Sequence, residues 1–186
     1  YWQRAADEFL IGNGSTELIH LLPRALQIRH LLVVGPTFSE YAAAMKRCGG
    51  HVSMVMADRA EGYRPPLERV FAPAHGFPQT VTGRPPIDAV LLCNPNSPTG
   101  YACDAAAVRR LARQASRLRL WFIVDETFAE YCHEVSILSQ ALPERAIVLR
   151  SFTKFFGLPG LRVGYVAAKL RVIEQIAAHQ PPWSVN

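Results

Sequence analysis

The sequence predicts an α/β domain in three layers, a mostly parallel central sheet with helices on both faces. Two observations carry this. Short apolar runs of strand length alternate with helix-length segments along the chain. Several of those runs (Leu31–Val34, Ala89–Cys93, Leu120–Val124) are apolar without interruption, as strands covered on both sides require. Composition agrees: 186 residues, 49% hydrophobic and 19% charged, describe a compact domain and exclude an extended disordered chain.

Taken in order, the first predicted element is a helix over Glu17–Leu26, with Ser15 or Thr16 as its N-cap and Pro23 expected to kink or split it. A strand over Leu31–Val34 follows, then a helix over Ser39–Arg47 that Gly49-Gly50 stops, then a strand over His51–Met56. The stretch Tyr63–Pro86 holds Pro65, Pro66, Pro73, Pro78, Pro85 and Pro86 with Gly76 and Gly83, and reads as a surface excursion with a short helix at Leu67–Ala72. Then come a strand over Asp88–Cys93, a helix over Asp104–Arg117 capped by Asp104, and strands over Leu120–Asp125, Ala146–Arg150 and Val163–Ala167. A helix over Leu170–Ala178 is last. No internal repeat or domain linker stands out. The chain opens without an initiator Met or a signal-peptide pattern and stops at Pro-Pro-Trp-Ser-Val-Asn, so both ends are expected to be cuts within a longer protein.

Several function classes lose support. No apolar run approaches the roughly 20 residues of a membrane span. The net charge of +5 is modest, and the densest basic stretch, Arg109, Arg110, Arg113, Arg117 and Arg119, has the spacing of a solvated helix face rather than a nucleic-acid surface. Cys48, Cys93, Cys103 and Cys132 form no C-x-x-C pair and the six histidines are scattered, which argues against a metal site and for a reduced, cytoplasmic compartment.

Four segments carry chemistry, at places where sheets of this class gather ligands. Gly12-Asn13-Gly14-Ser15-Thr16-Glu17 opens a helix; its glycines and free amides suit an anion, although a plain capped turn has the same letters. Asn94-Pro95-Asn96-Ser97-Pro98-Thr99-Gly100 follows an apolar strand; two prolines make it rigid, and a turn alone does not explain two Asn and a Ser. Asp125 leaves the apolar run Leu120–Val124, where a carboxylate is costly unless partnered, whether by a ligand cation, a helix cap or a salt bridge. Lys154 lies among Phe152, Phe155 and Phe156; an apolar setting favours the neutral, nucleophilic amine, whereas a surface Lys beside a core cluster is the plain alternative. Ser151, Thr153 and Arg162 add donors suited to a phosphate.

Together these pieces describe a ligand with a phosphate, a basic aromatic nitrogen and a carbonyl, which is pyridoxal 5'-phosphate. The sequence resembles the fold-type I pyridoxal-phosphate enzymes of the class I/II aminotransferase group, over nearly its whole length and with the four motifs in order. The resemblance implies that residues 1–186 are part of the large cofactor domain, with an N-terminal arm and a C-terminal small domain lying outside them. It implies that Lys154 carries the cofactor as a Schiff base and that Asp125 pairs with the ring nitrogen. Gly14, Ser15 and Thr16 would hold the phosphate from the helix end, and Ser151, Thr153 and Arg162 from the other side. Phe38 would stack on the ring, and Asn96 or Ser97 would contact the ring hydroxyl. Two departures stand out. Many relatives place Asn directly before Pro-Thr-Gly, where this chain has Ser97. Many read Asp-Glu-x-Tyr, where this chain has Phe128, which has no hydroxyl to donate.

Within the group, the chain resembles the branch of threonine-phosphate decarboxylase, which acts in cobalamin biosynthesis, and histidinol-phosphate aminotransferase. Phe38, Phe128, the word Phe155-Phe156-Gly157-Leu158-Pro159-Gly160 and the terminal Pro182–Asn186 look more like the decarboxylase. Both imply a small phosphorylated amine as substrate, in keeping with the positive charge, and a homodimer in the intact protein. A ligand-sensing domain of a transcription regulator is an alternative from another class, which a winged helix upstream would reveal.

Overall fold

A computed structural model describes residues 2–72 and 85–183. A seven-stranded sheet runs through the molecule in the order β1-β7-β6-β5-β4-β2-β3. Its strands are β1 (Phe9–Asn13), β2 (His30–Gly35), β3 (His51–Met56), β4 (Ala89–Cys93), β5 (Trp121–Asp125), β6 (Ala146–Ser151) and β7 (Val163–Ala167). The run from β3 to β6 is parallel; β7 is antiparallel to both β6 and β1. The mostly parallel sheet expected from the alternating pattern is therefore present.

Helices cover both faces. On one side α1 (Gly14–Ala25), α2 (Glu40–Arg47) and α4 (Leu170–Ala177) pack Leu18, Leu22, Met45 and Ile176 against Leu31, Ile123, Ile147 and Leu149. On the other α3 (Ala105–Arg117) packs Val108, Leu111 and Ala115 against Leu92, Phe122, Val124 and Val148. The period-2 alternation of β5 and β6 sends successive side chains into the two cores. Leu18, Phe122 and Ile147 are wholly buried, each worth about 1.5–3 kcal/mol of apolar transfer.

Asp104 caps α3, its side chain accepting from the Ala106 amide at 2.6 Å. Of the basic run on this helix, Arg110, Arg113 and Arg117 are solvent-exposed. Three expectations are corrected. α1 begins at Gly14, so Ser15 and Thr16 lie in its first turn and neither is the cap; Asn13 holds that place, and its amide donates to Glu17 Oε2 at 2.6 Å. Pro23 does not split α1: it sits in the last turn, and only Arg24 and Ala25 follow it before the helix ends. β1 went unpredicted, because its five residues include Gly12 and Asn13 and its place is set by pairing with β7. The expected helix at Leu67–Ala72 is a single 3-10 turn, Leu67–Arg69. Residues 73–84 of the proline-rich excursion and Ser184–Asn186 of the terminal motif lie outside the described residues.

Candidate active site

The carboxyl ends of β4, β5 and β6 and the N-terminus of α1 surround a cleft of about 210 Å³. Ser15, Thr16, Phe38, Ser97, Asp125, Ser151, Thr153, Lys154 and Arg162 all line it. Gly14 and Asn96 do not line it; each immediately precedes a residue that does, Ser15 and Ser97. Residues scattered over nearly 150 positions meet here because parallel strands present their carboxyl ends at one edge.

Asp125 ends β5 at the cleft and is 3% exposed. Its Oδ2 accepts from the Tyr41 hydroxyl at 2.9 Å, and its Oδ1 from the Thr127 amide at 2.8 Å. Neither contact is a helix cap or a salt bridge, the two structural alternatives raised by the sequence. Burial pushes the carboxyl above its ordinary range, against the pull of the Thr127 and Tyr41 hydrogen bonds and of Arg150. Tyr41 is raised by its own burial and by the Asp125 charge; burial and Asp125 push the Cys93 thiol up to about 12.

The anion end is built by close backbone approach. A Cβ on Gly164 would lie 2.6 Å from the Ser15 nitrogen and 2.9 Å from the Gly14 carbonyl carbon, so a glycine in β7 lets the start of α1 settle against the sheet. Gly14 has φ +74°, and a Cβ there would meet Arg162 Nη2 at 2.7 Å. Arg162 itself adopts a left-handed backbone, φ +48°, a conformation that costs a non-glycine residue on the order of 1 kcal/mol or more. The fold thus places a guanidinium beside the amides of a helix N-terminus, with the hydroxyls of Ser15, Thr16, Ser151 and Thr153 around them.

Lys154 departs from expectation. It lines the cleft but is exposed, and the aromatic residues beside it in sequence turn elsewhere. Phe152, Phe155 and Phe156 line a separate apolar cleft with Tyr165, their rings 5.1–5.9 Å apart in a chain of contacts. Backbone direction after β6 sends position 154 to one side and its neighbours to the other, so an apolar sequence neighbourhood did not make an apolar environment.

In the loop after β4, Ser97 lies on the cleft wall while the Asn96 amide donates to Pro36 O at 2.9 Å and Thr99 Oγ1 at 2.8 Å. Asn96 Oδ1 is buried and has no hydrogen-bond partner among the described residues. Asn94 is spent on the loop itself, bonding Cys103 through both its oxygen and its nitrogen. Tyr41, Cys93, Thr127 and Gly164 were not singled out from the sequence. Tyr41 was legible in outline: it falls three residues after Phe38 at a helix start, and the two rings meet edge to face at 5.7 Å.

The donor set fits pyridoxal phosphate at each of its parts. Amides, hydroxyls and a guanidinium suit the phosphate, a buried carboxylate suits a protonated ring nitrogen, and Phe38 offers a ring face. Lys154 supplies an amine, Ser97 puts a hydroxyl on the cleft wall, and the neighbouring Asn96 has a buried side-chain oxygen with no hydrogen-bond partner among the described residues.

Comparison with known proteins agrees. The sequence profile of the family "Aminotransferase class I and II" matches residues 2–186. The threonine-phosphate decarboxylase of Salmonella typhimurium is 32% identical over 187 residues, covering 99% of this chain and 49% of that protein. The histidinol-phosphate aminotransferase of Moorella thermoacetica is also 32% identical over 187 residues, covering 97% of this chain and 45% of that protein. The crystal structure of the histidinol-phosphate aminotransferase from Clostridium acetobutylicum superposes with a TM-score of 0.82 at 25% identity, over 100% of this chain and 53% of that one. The chain spans about half the length of the curated relatives it matches. It belongs to the class I and II aminotransferase family, whose members are pyridoxal-phosphate-dependent enzymes of fold type I.

Proposed function

We propose that these residues form the greater part of the large cofactor domain of an enzyme that removes carboxylate from threonine phosphate, in cobalamin biosynthesis. The observation that carries the chemistry is the meeting, in one cleft, of an anion cradle, a buried carboxylate and an amine. When bound, pyridoxal phosphate supplies an electron sink conjugated to the substrate α-carbon. Gly14, Ser15, Thr16, Ser151, Thr153 and Arg162 would hold its phosphate. Asp125 would keep the ring nitrogen protonated; burial raises its pKa in the free protein, and a cationic ring nitrogen beside it would offset the cost of the buried carboxylate. Phe38 would stack on the ring, and Asn96 or Ser97 would contact the ring hydroxyl. Lys154 would be the covalent attachment point, and its Nζ, when not so engaged, would hold and return a proton at the substrate α-carbon as general base and acid.

Equal identity to a decarboxylase and an aminotransferase leaves the choice of outcome to the site. Phe38 and Phe128 carry it toward decarboxylation, since the aminotransferase branch more often has Tyr at both positions. Phe128 lines the cleft and removes the hydroxyl that would hold the ring oxygen. Transamination of histidinol phosphate is the second reading, favoured by the Moorella relative and the Clostridium structure. The intact enzyme in this reading is a cytoplasmic homodimer with its site at the subunit boundary; the free state of all four cysteines suits that compartment, and no helix among the described residues is long and apolar enough to cross a membrane.

Two assays on the full-length protein test this. Borohydride trapping followed by peptide mapping should locate the cofactor on Lys154, and an adduct elsewhere refutes the site. Threonine phosphate should release carbon dioxide; glutamate formed from histidinol phosphate and 2-oxoglutarate, without carbon dioxide from the first substrate, transfers the protein to the second reading. A winged helix upstream in the full-length protein, with cofactor bound and neither product formed, supports the sensing domain of a regulator.

A further inference from the structure

Directly behind the cleft lies a buried charge cluster that none of the steps above uses. Glu126 follows Asp125 and is wholly buried; Arg150 precedes Ser151 and is 2% exposed. Arg150 Nε stands 3.2 Å from Glu126 Oε2, and its Nη1 donates to Glu130 Oε1 at 3.0 Å. Its Nη2 donates to the Ser136 hydroxyl at 3.3 Å. Glu126 also accepts from the Ser136 hydroxyl at 2.6 Å and from the Ile137 amide at 2.8 Å. The far side of the guanidinium stacks on the Trp2 ring, 4.7 Å from its centroid.

The placement follows from strand alternation. Residues on adjacent parallel strands point alternately to the two faces, so Asp125 and Ser151 reach the cleft while Glu126 and Arg150 meet on the opposite side of the sheet. Each member of the ion pair is covalently next to a cleft residue. The pair therefore links the end of β5, carrying Asp125, to the end of β6, carrying Ser151, Thr153 and Lys154. The ladder joins this junction through Glu126 N, which donates to Leu149 O at 2.9 Å; β5 ends there, while β6 runs on through Ser151 against β7.

We propose that Glu126 and Arg150, braced by Ser136 and Glu130, are positioning residues that set the distance and orientation between the carboxylate and the amine-and-phosphate halves of the cofactor site. The energetics of buried ion pairs favour a positioning role over a purely stabilising one. Removing two charges from water costs several kcal/mol per ion, and an apolar pair of similar volume commonly gives an equal or more stable fold. What an apolar pair lacks is direction: the guanidinium is aimed by its hydrogen bonds to Glu130 and to Ser136, and the same Ser136 hydroxyl donates to Glu126, whose contact with Arg150 Nε is one of charge; a cofactor site loses function when its groups shift by about 0.5 Å or more.

The inference rests on the cofactor reading above, and the experiment separates the two. Full-length protein is prepared as wild type, as Glu126→Gln, as Arg150→Lys and as the apolar pair Glu126→Leu/Arg150→Met. Each is measured for apo thermal stability, for pyridoxal-phosphate affinity by titration, and for the pH midpoint of the bound cofactor's visible absorbance. The apolar pair also takes partners away from Glu130, Ser136 and the Ile137 amide, so its apo Tm is expected to fall, while cofactor binding weakens roughly tenfold or more, beyond what that loss of stability accounts for, with a displaced pH midpoint. Arg150→Lys keeps the charge without the fork and is expected to shift the midpoint in the same direction. Wild-type affinity and midpoint in the variants overturns the inference alone; so does a loss of affinity no larger than the loss of apo stability, with the midpoint unmoved. A wild-type protein that takes up no cofactor overturns the underlying reading with it.

Discussion

Gly164 offers the sharpest test of how the anion end is built. Replacing it with Ala places a methyl group 2.6 Å from Ser15 N, 2.8 Å from Arg150 O and 2.9 Å from the Gly14 carbonyl carbon, where ordinary contact begins near 3.4 Å. All three neighbours are backbone atoms, so no side chain can rotate out of the way. Either β7 or the first turn of α1 must move by several tenths of an ångström. Overpacking of this kind costs about 1–3 kcal/mol. The same movement carries the Ser15 amide and the Gly14 turn away from the phosphate. Loss of one charge-assisted hydrogen bond, about 1.5–3 kcal/mol, weakens cofactor binding by roughly tenfold to a hundredfold. Urea unfolding of the full-length apo protein should show a lower midpoint at unchanged slope, and titration should show the weaker cofactor affinity. Gly160→Ala is the control, since nothing lies within 4 Å of a Cβ there. If Gly164→Ala matches wild type in both measurements, the close approach of strand and helix is not what forms the phosphate end.

The other expectations concern charge and reactivity. Because burial raises the Asp125 pKa, the folded apo protein binds a proton more tightly than the unfolded chain does, so its stability falls as pH rises through that elevated value. Asp125→Asn should remove this dependence: urea midpoints of apo wild type and variant should draw apart in the variant's favour from pH 4 to pH 8, and parallel curves would contradict the assignment. Phe128→Tyr restores a hydroxyl on the cleft wall; a gain of about 0.5–1.5 kcal/mol should tighten cofactor binding roughly twofold to tenfold, read by titration, and an unchanged affinity shows that the ring oxygen is not within its reach. Alkylation of the native protein at pH 8 should label the exposed Cys48 and spare Cys93 and Cys103, whose thiols burial pushes up to about 12 and 11; rapid labelling of Cys93, mapped by mass spectrometry, would show the base of the cleft to be open.

Much of this protein was decided locally, and so could be read in one dimension. Apolar runs marked the strands at the centre of the sheet because a strand covered on both faces can carry few polar groups. Asp104 and Gly49-Gly50 marked helix ends because capping needs those residues at those positions. The edge strand Phe9–Asn13 could not be read, since it owes its place to pairing with β7 across about 150 residues. The letters of the site were also legible, because an anion cradle, a carboxylate after a buried strand and a lysine beside hydroxyls are chemical requirements on residue type. Direction was not. Whether Lys154 faced its neighbouring phenylalanines, whether Asn96 or Ser97 reached the wall, that Tyr41 would clasp Asp125, and that Glu126 rather than Asp125 would pair with an arginine all depend on which side of the sheet each backbone presents after its last ladder bond. Residue type is a property of the chain; side-chain direction at the end of a strand is a property of the packed neighbours, and only the assembled sheet contains them.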